Sequence, residues 1–170
     1  MIKKFWVIRS RQKLYSGLSF GIAGVISAYT LLTMTVLEKT LSVRPYWWND
    51  GVTQAGKYAL LVIPVLEFLA AFLLYRLSLR DTLPRPFKRW AAQNPEQQAR
   101  QMSFYGENAA ITGVLLTAFL TFWQLGLLNS AKGIPGFSPL VVWLLLIAIP
   151  LHGGWAAFRI RAMGKPQLPS

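Results

Sequence analysis

The chain has no cysteine, one histidine and only six acidic residues. Without cysteine there are no disulfides, no thiolate metal sites and no cysteine nucleophile, and the redox compartment is left undetermined. One histidine supplies half of a bis-histidine haem site, so haem would need a symmetric dimer or another subunit. The acids Asp81, Glu96 and Glu107 are too dispersed for a carboxylate metal site. Phosphate-binding glycine loops, zinc helix motifs and paired carboxylates are missing. Neither a G-x-S-x-G elbow nor a Ser/His/Asp set can be assembled. The expectation is a non-catalytic protein with no cofactor and no metal. The longest basic segment lacks the size and aromatic interleaving for nucleic-acid readout, so no nucleic-acid partner is expected.

What the chain does have is apolar length and positive charge. Its 170 residues are 54% hydrophobic and 14% charged, with 18 Lys and Arg and a net charge of +12. An average soluble domain is about 25% charged. Aromatic residues at 14% exclude disorder. This composition fits a membrane protein whose few charges are sorted by sign.

Four stretches of about 20 residues match the length needed to cross about 30 Å of hydrocarbon as helix. They lie at about Tyr15–Leu37, Tyr58–Leu79, Ala109–Leu128 and Pro139–Phe158. None alternates with the period of two of a barrel strand, so the fold class is all-α, a polytopic membrane protein with four transmembrane helices forming a four-helix bundle. The first stretch is longer than a signal-peptide core and no A-x-A-like site follows it.

Basic residues set the orientation. The N-terminal tail (Lys3, Lys4, Arg9, Arg11, Lys13), the second loop with its flank (Arg76, Arg80, Arg85, Lys88, Arg89, Arg100) and the C-terminal tail (Arg159, Arg161, Lys165) hold fourteen. The first and third loops hold four: Lys39, Arg44, Lys57 and Lys132. Both termini and the second loop are therefore expected in the cytoplasm, in a bacterial inner membrane. Phe5-Trp6, Tyr46-Trp47-Trp48 and Phe104-Tyr105 occupy positions suited to interfacial anchors.

The second loop spans residues 80–108. Its Leu83-Pro84-Arg85-Pro86 run argues against helix. Asn94-Pro95-Glu96 reads as a helix start, with Asn as cap, and predicts a short interfacial helix from about Pro95 to Tyr105, ended by Gly106. Arg85, Lys88 and Arg89 should attract anionic headgroups of the lipid bilayer, at about 1 kcal/mol per basic residue near the surface.

Residues 63–72 and 149–158 match as I-P-x5-A-A-F at an offset of 86, a weak signal of a parallel helical-hairpin repeat. Pro64 and Pro150 are expected to kink their helices. Gly17, Gly21, Gly24 and Ala28 fall on one face of the first span, and Gly113 and Gly153 are small residues of the second hairpin. Such faces allow close helix approach, either inside the bundle or to another subunit or copy of the chain.

Glu67 sits near the centre of the second span. A charge there costs about 2.5–3.5 kcal/mol on insertion scales, and desolvation favours the neutral acid. Tyr29, Thr30, Thr117 and Thr121 fall near its depth. Gln124 lies nearer the outside, and His152 about 6 Å deeper at about 1.5 Å per residue. Glu67 is then either a proton-binding carboxyl with His152 as relay, or a neutral acid hydrogen-bonded to a neighbouring helix.

Three functions are compatible with this architecture, which does not by itself decide among them. The leading one is a small membrane component acting by helix packing, as an accessory or scaffold subunit of a complex. A second is a small proton- or ion-coupled transporter or channel centred on Glu67. A third is an immunity protein against a pore-forming toxin. The topology predicts that a reporter fused after Ser130 reads non-cytoplasmic; a cytoplasmic reading would reverse the orientation.

Overall fold

The computed structural model describes residues 2–43, 53–134 and 139–164. Helix α1 (Ile2–Val36) is followed by an antiparallel hairpin of β1 (Thr40–Val43) and β2 (Thr53–Gly56). A 3₁₀ turn (Lys57–Leu61) leads into α2 (Val62–Ser78). A single turn, α3 (Arg85–Lys88), precedes α4 (Pro95–Ala131) and α5 (Pro139–Met163). Four of these helical stretches are long and apolar enough to cross a membrane. The Tyr46-Trp47-Trp48 run lies outside the described residues, as do the side chains of Phe5 and Trp6.

Helix α4 starts where expected. The Asn94 side chain accepts a hydrogen bond from the Glu96 backbone N–H at 2.9 Å, and Pro95 occupies the first turn. The helix does not stop at Gly106, however. It continues for 37 residues, about 56 Å at a rise of about 1.5 Å per residue. The short interfacial helix is thus the first part of the third span. Gly106 serves packing instead of termination: a Cβ there would collide with the Gln12 side chain and lie 2.6 Å from the Ser78 carbonyl oxygen. The α3 turn corrects the Pro-Arg-Pro reading. Pro84 is its N-cap and Pro86 sits in its first turn, where a missing N–H costs nothing.

Helix α4 is the centre of the molecule. None of its residues from Gln101 onward is exposed, and α1, α2 and α5 all pack on it. Helices α1 and α2 also pack on each other, whereas the main contacts of α5 are with α4 and the α3 turn. The layout is a three-helix group with α5 attached to its central member, not an even four-sided bundle. It also lacks the symmetry of the suspected repeat. Exchanging α1 with α4 and α2 with α5 would turn the α2–α4 contact into an α1–α5 contact of equal weight, and that pair is not among the substantial ones.

Helices α1 and α4 run in the same direction at a fixed offset of 94 residues, seen at Thr30 with Gln124, Ser19 with Gly113 and Gln12 with Gly106. Among the described side chains of α1, the buried Gln12, Ser16, Ser19, Ala23, Ile26, Thr30 and Thr33 are spaced alternately four and three apart, as in a coiled-coil seam, with buried Met34 beside the last. The glycine stripe therefore does not fill the bundle. Gly17, Gly21 and Ala28 are exposed, and a Cβ at Gly17, Gly21 or Gly24 would meet nothing within 4 Å. The reason is polarity: amide and hydroxyl groups belong against protein partners, while glycine is indifferent. Gly113 does mediate close packing, its Cβ site lying 3.2 Å from Ser19 Oγ, whereas Gly153 is exposed with nothing near it.

The hairpin was not visible in a sequence read as all-α. Its Leu41 and Val43 turn inward and join Ile26, Met34, Leu60 and Leu128 in an apolar cluster. Lys57 anchors it, donating its backbone N–H to Lys39 at 3.0 Å and its ammonium to the Met34 carbonyl at 3.1 Å. Pro64 does not kink a running helix, because it is the third residue of α2, directly after the 3₁₀ turn. Pro150 lies inside the continuous α5.

Gly106→Ala is expected to destabilise the protein by about 1–3 kcal/mol through overpacking. Gly126→Ala, where a Cβ meets nothing within 4 Å, should be neutral or gain up to about 1 kcal/mol of helix propensity. Thermal unfolding in detergent micelles measures both.

Candidate functional site

The inner faces of α1, α2 and α4 form a seam of buried polar side chains. Glu67, Thr30, Thr117 and Gln124 are each 0% exposed. Thr121 donates its hydroxyl to Glu67 Oε1 at 2.8 Å. One turn further along α4, the Gln124 amide nitrogen donates to the Leu60 carbonyl at 2.9 Å and to Thr30 Oγ1 at 3.1 Å. Thr30 in turn donates to the Ile26 carbonyl at 2.8 Å. The Leu60 carbonyl can only accept, which fixes which end of the Gln124 amide is nitrogen. Glu67 Oε2, Gln124 Oε1 and Ser16 Oγ are buried side-chain atoms of this seam without a partner.

Of the residues expected around Glu67, Thr121 bonds it directly. Thr117 lies one turn away on α4 and returns its hydroxyl to the Gly113 carbonyl at 2.9 Å. Thr30 enters through Gln124. Tyr29 faces outward, where its hydroxyl accepts from the Lys132 ammonium at 2.9 Å and its ring lies beneath that ammonium at 4.8 Å. The expected relay to His152 is not formed. His152 is on α5, which packs against a different face of α4, shown by the Phe104–Trp155 ring pair at 5.5 Å. Its ring lies 5.9 Å from that of Trp155, and its buried Nε2 has no partner.

Residues not singled out from the sequence do much of the joining. Gln101 is 0% exposed. Its amide nitrogen donates to the Trp90 and Ile160 carbonyls, both at 2.7 Å, and its Oε1 accepts from the Ala92 N–H at 3.0 Å. One side chain thus ties the α3–α4 loop, α4 and α5 together. Gln12 donates to the Ser103 carbonyl at 3.3 Å and joins α1 to α4. The four-three spacing of polar residues in α1 was the signal that could have revealed this seam.

At the end opposite the hairpin, a cavity of about 370 Å³ is lined by Gln12, Ser78, Arg80, Asp81, Gln98 and Ser103, among others. Arg11 and Glu107 form an ion pair nearby in the helices, at 3.6 Å. Arg85, Lys88 and Arg89 are exposed, with the Arg89 guanidinium 5.0 Å over the Trp90 ring.

No protein-family model matches this chain, and neither a curated protein nor a solved structure is detectably similar to it.

Gln101→Leu leaves the Ala92 N–H and two carbonyls without this partner, at about 1–3 kcal/mol for an unsatisfied buried group. The expected result is a lower unfolding temperature and faster proteolysis around Arg89. An unchanged protein would mean that these three bonds do not hold the loop and α5 in place.

Proposed function

We propose that this chain is a small integral membrane component that works by helix packing, as an accessory or scaffold subunit of a membrane complex or as a homo-oligomer. One observation carries the reading: the Gly17, Gly21, Gly24, Ala28 stripe of α1 faces away from the chain's own helices, and no side chain fills it. Lipid tails are as apolar as leucine, so a face of small residues gains most when another helix backbone can approach it closely. Helix α5 adds a second outward face, with Leu144, Ile147, Leu151 and Phe158 exposed.

In this reading both termini and the α2–α4 loop lie in the cytoplasm, at a bacterial inner membrane. The distribution of basic residues supports that orientation. Exposed Arg85, Lys88 and Arg89 would meet anionic headgroups there. A second reading, a small proton- or ion-coupled transporter, has its own support in the fully buried Glu67 with one unpartnered oxygen.

The absence of cysteine makes the test direct. Gly21→Cys, carrying a photoreactive thiol probe in native membranes, is expected to give a protein adduct of higher mass. Ala23→Cys, on the buried face, should give none. Adducts with lipid alone at position 21 would contradict the proposal.

A further inference from the structure

We propose that Glu67 and Gln124 together bind one proton, held between Glu67 Oε2 and Gln124 Oε1 and exchanged with the end of the molecule that carries the cavity. The inference goes beyond helix packing and stands independently of whether the chain has partners.

The Gln124 amide spends its nitrogen on Leu60 and Thr30, which leaves its oxygen as a pure acceptor without a donor. Glu67 Oε1 takes the Thr121 hydroxyl, and Oε2 has nothing. The two orphan oxygens belong to one seam. Side chains lean toward the N-terminus of their own helix. Helix α2 begins at the hairpin end and α4 at the other end, so Glu67 and Gln124 lean toward each other. Two acceptors cannot bond as they stand. One proton on Glu67 Oε2 makes it a donor to Gln124 Oε1, directly or through a single water, and satisfies both.

Among the described residues, no charge on the packed elements competes with this. The buried face of α1 presents Ala23, Ile26 and Thr30, α4 presents Thr117, Thr121 and Gln124, and α2 adds its own Pro64 and Ala71. Lys57 is bonded to the Met34 carbonyl and Lys132 to Tyr29. His152 of α5 makes no bond to Glu67.

The two ends of the seam differ. Toward the hairpin it is closed by the apolar cluster of Ile26, Met34, Leu41, Val43, Leu60 and Leu128. Toward the other end, the buried faces of α4 and α1 carry hydroxyls at successive turns, those of Thr117, Ser19 and Ser16. Thr117 is next to Thr121 on α4, Ser19 Oγ lies against Gly113, and Ser16 Oγ is buried with no partner. Gln12, one turn beyond Ser16, lines the cavity. The step is proton transfer alone. An O–H bond of a hydronium in the cavity breaks, one at Glu67 Oε2 forms, and water is left behind.

Infrared spectroscopy of the ¹³C-glutamate-labelled protein in lipid vesicles tests this. Of the other glutamates, Glu38 and Glu96 are exposed and Glu107 pairs with Arg11, so a protonated-carboxyl band at neutral pH is assigned to Glu67 without a variant. That band is expected, is lost in Glu67→Gln, and shifts in Gln124→Leu when its acceptor is removed. Its hydrogen–deuterium exchange should slow by roughly tenfold in the Ser16→Ala/Ser19→Ala double variant, the effect of a barrier raised by about 1.4 kcal/mol. Exchange should be unchanged in Thr35→Val, at an exposed site. Only carboxylate bands at neutral pH would overturn the bound proton. A band unaffected by Gln124→Leu would overturn the pairing, and unaltered exchange in the serine variant would overturn the route.

Discussion

In a bilayer, apolar side chains gain little by leaving lipid for one another, so helices hold together through close backbone approach and polar bonds. Helix α4 supplies both. Gly106 and Gly113 let α1 and α2 come within contact of its backbone. Polar side chains tie it to the other helices: Gln124 to α1 and the 3₁₀ turn, Thr121 to Glu67 of α2, and Gln101 to the loop and α5. Interhelical polar contacts average about 0.6 kcal/mol in membranes, with some near 2. Arranged on one central helix, they set the position of all the others.

This arrangement gives α1 two distinct faces. The inner one is a seam of Gln12, serines and threonines, buried and matched to α4 at a constant offset. The outer one carries Gly17, Gly21, Gly24 and Ala28 among exposed apolar side chains, and a Cβ at any of the three glycines would meet nothing within 4 Å. The ends of the molecule are also unlike. One is shut by the hairpin and an apolar cluster, and the other opens into a cavity with polar walls. Glu67 lies between them.

Much of the frame was legible because its signals are local. Hydropathy located all four spans, and the Asn94-Pro95-Glu96 cap marked the start of α4. Depth counting put Tyr29, Thr30, Thr117 and Thr121 near the level of Glu67, and of these Thr121 bonds it. What failed depended on which helix faces which. Gly106 reads locally as a stop, yet its lost side chain makes room for Gln12 and the Ser78 carbonyl. The glycine stripe of α1 and its polar seam are equally periodic, and only the partner helix shows which turns inward. His152, expected as a relay to Glu67 from one level deeper, belongs to a helix on another face of α4. Two four-residue strands are too short to register in a composition dominated by helices.

A fold built around α4 leaves the Gly17, Gly21, Gly24 and Ala28 face of α1 uncovered by the chain's own helices. The most direct measurement is the mass of the particle that carries this chain when native membranes are dispersed into lipid discs without detergent. If another helix covers the glycine face, the particle's protein mass exceeds that of the 19.1 kDa chain. A particle holding a single copy and no other protein would contradict it.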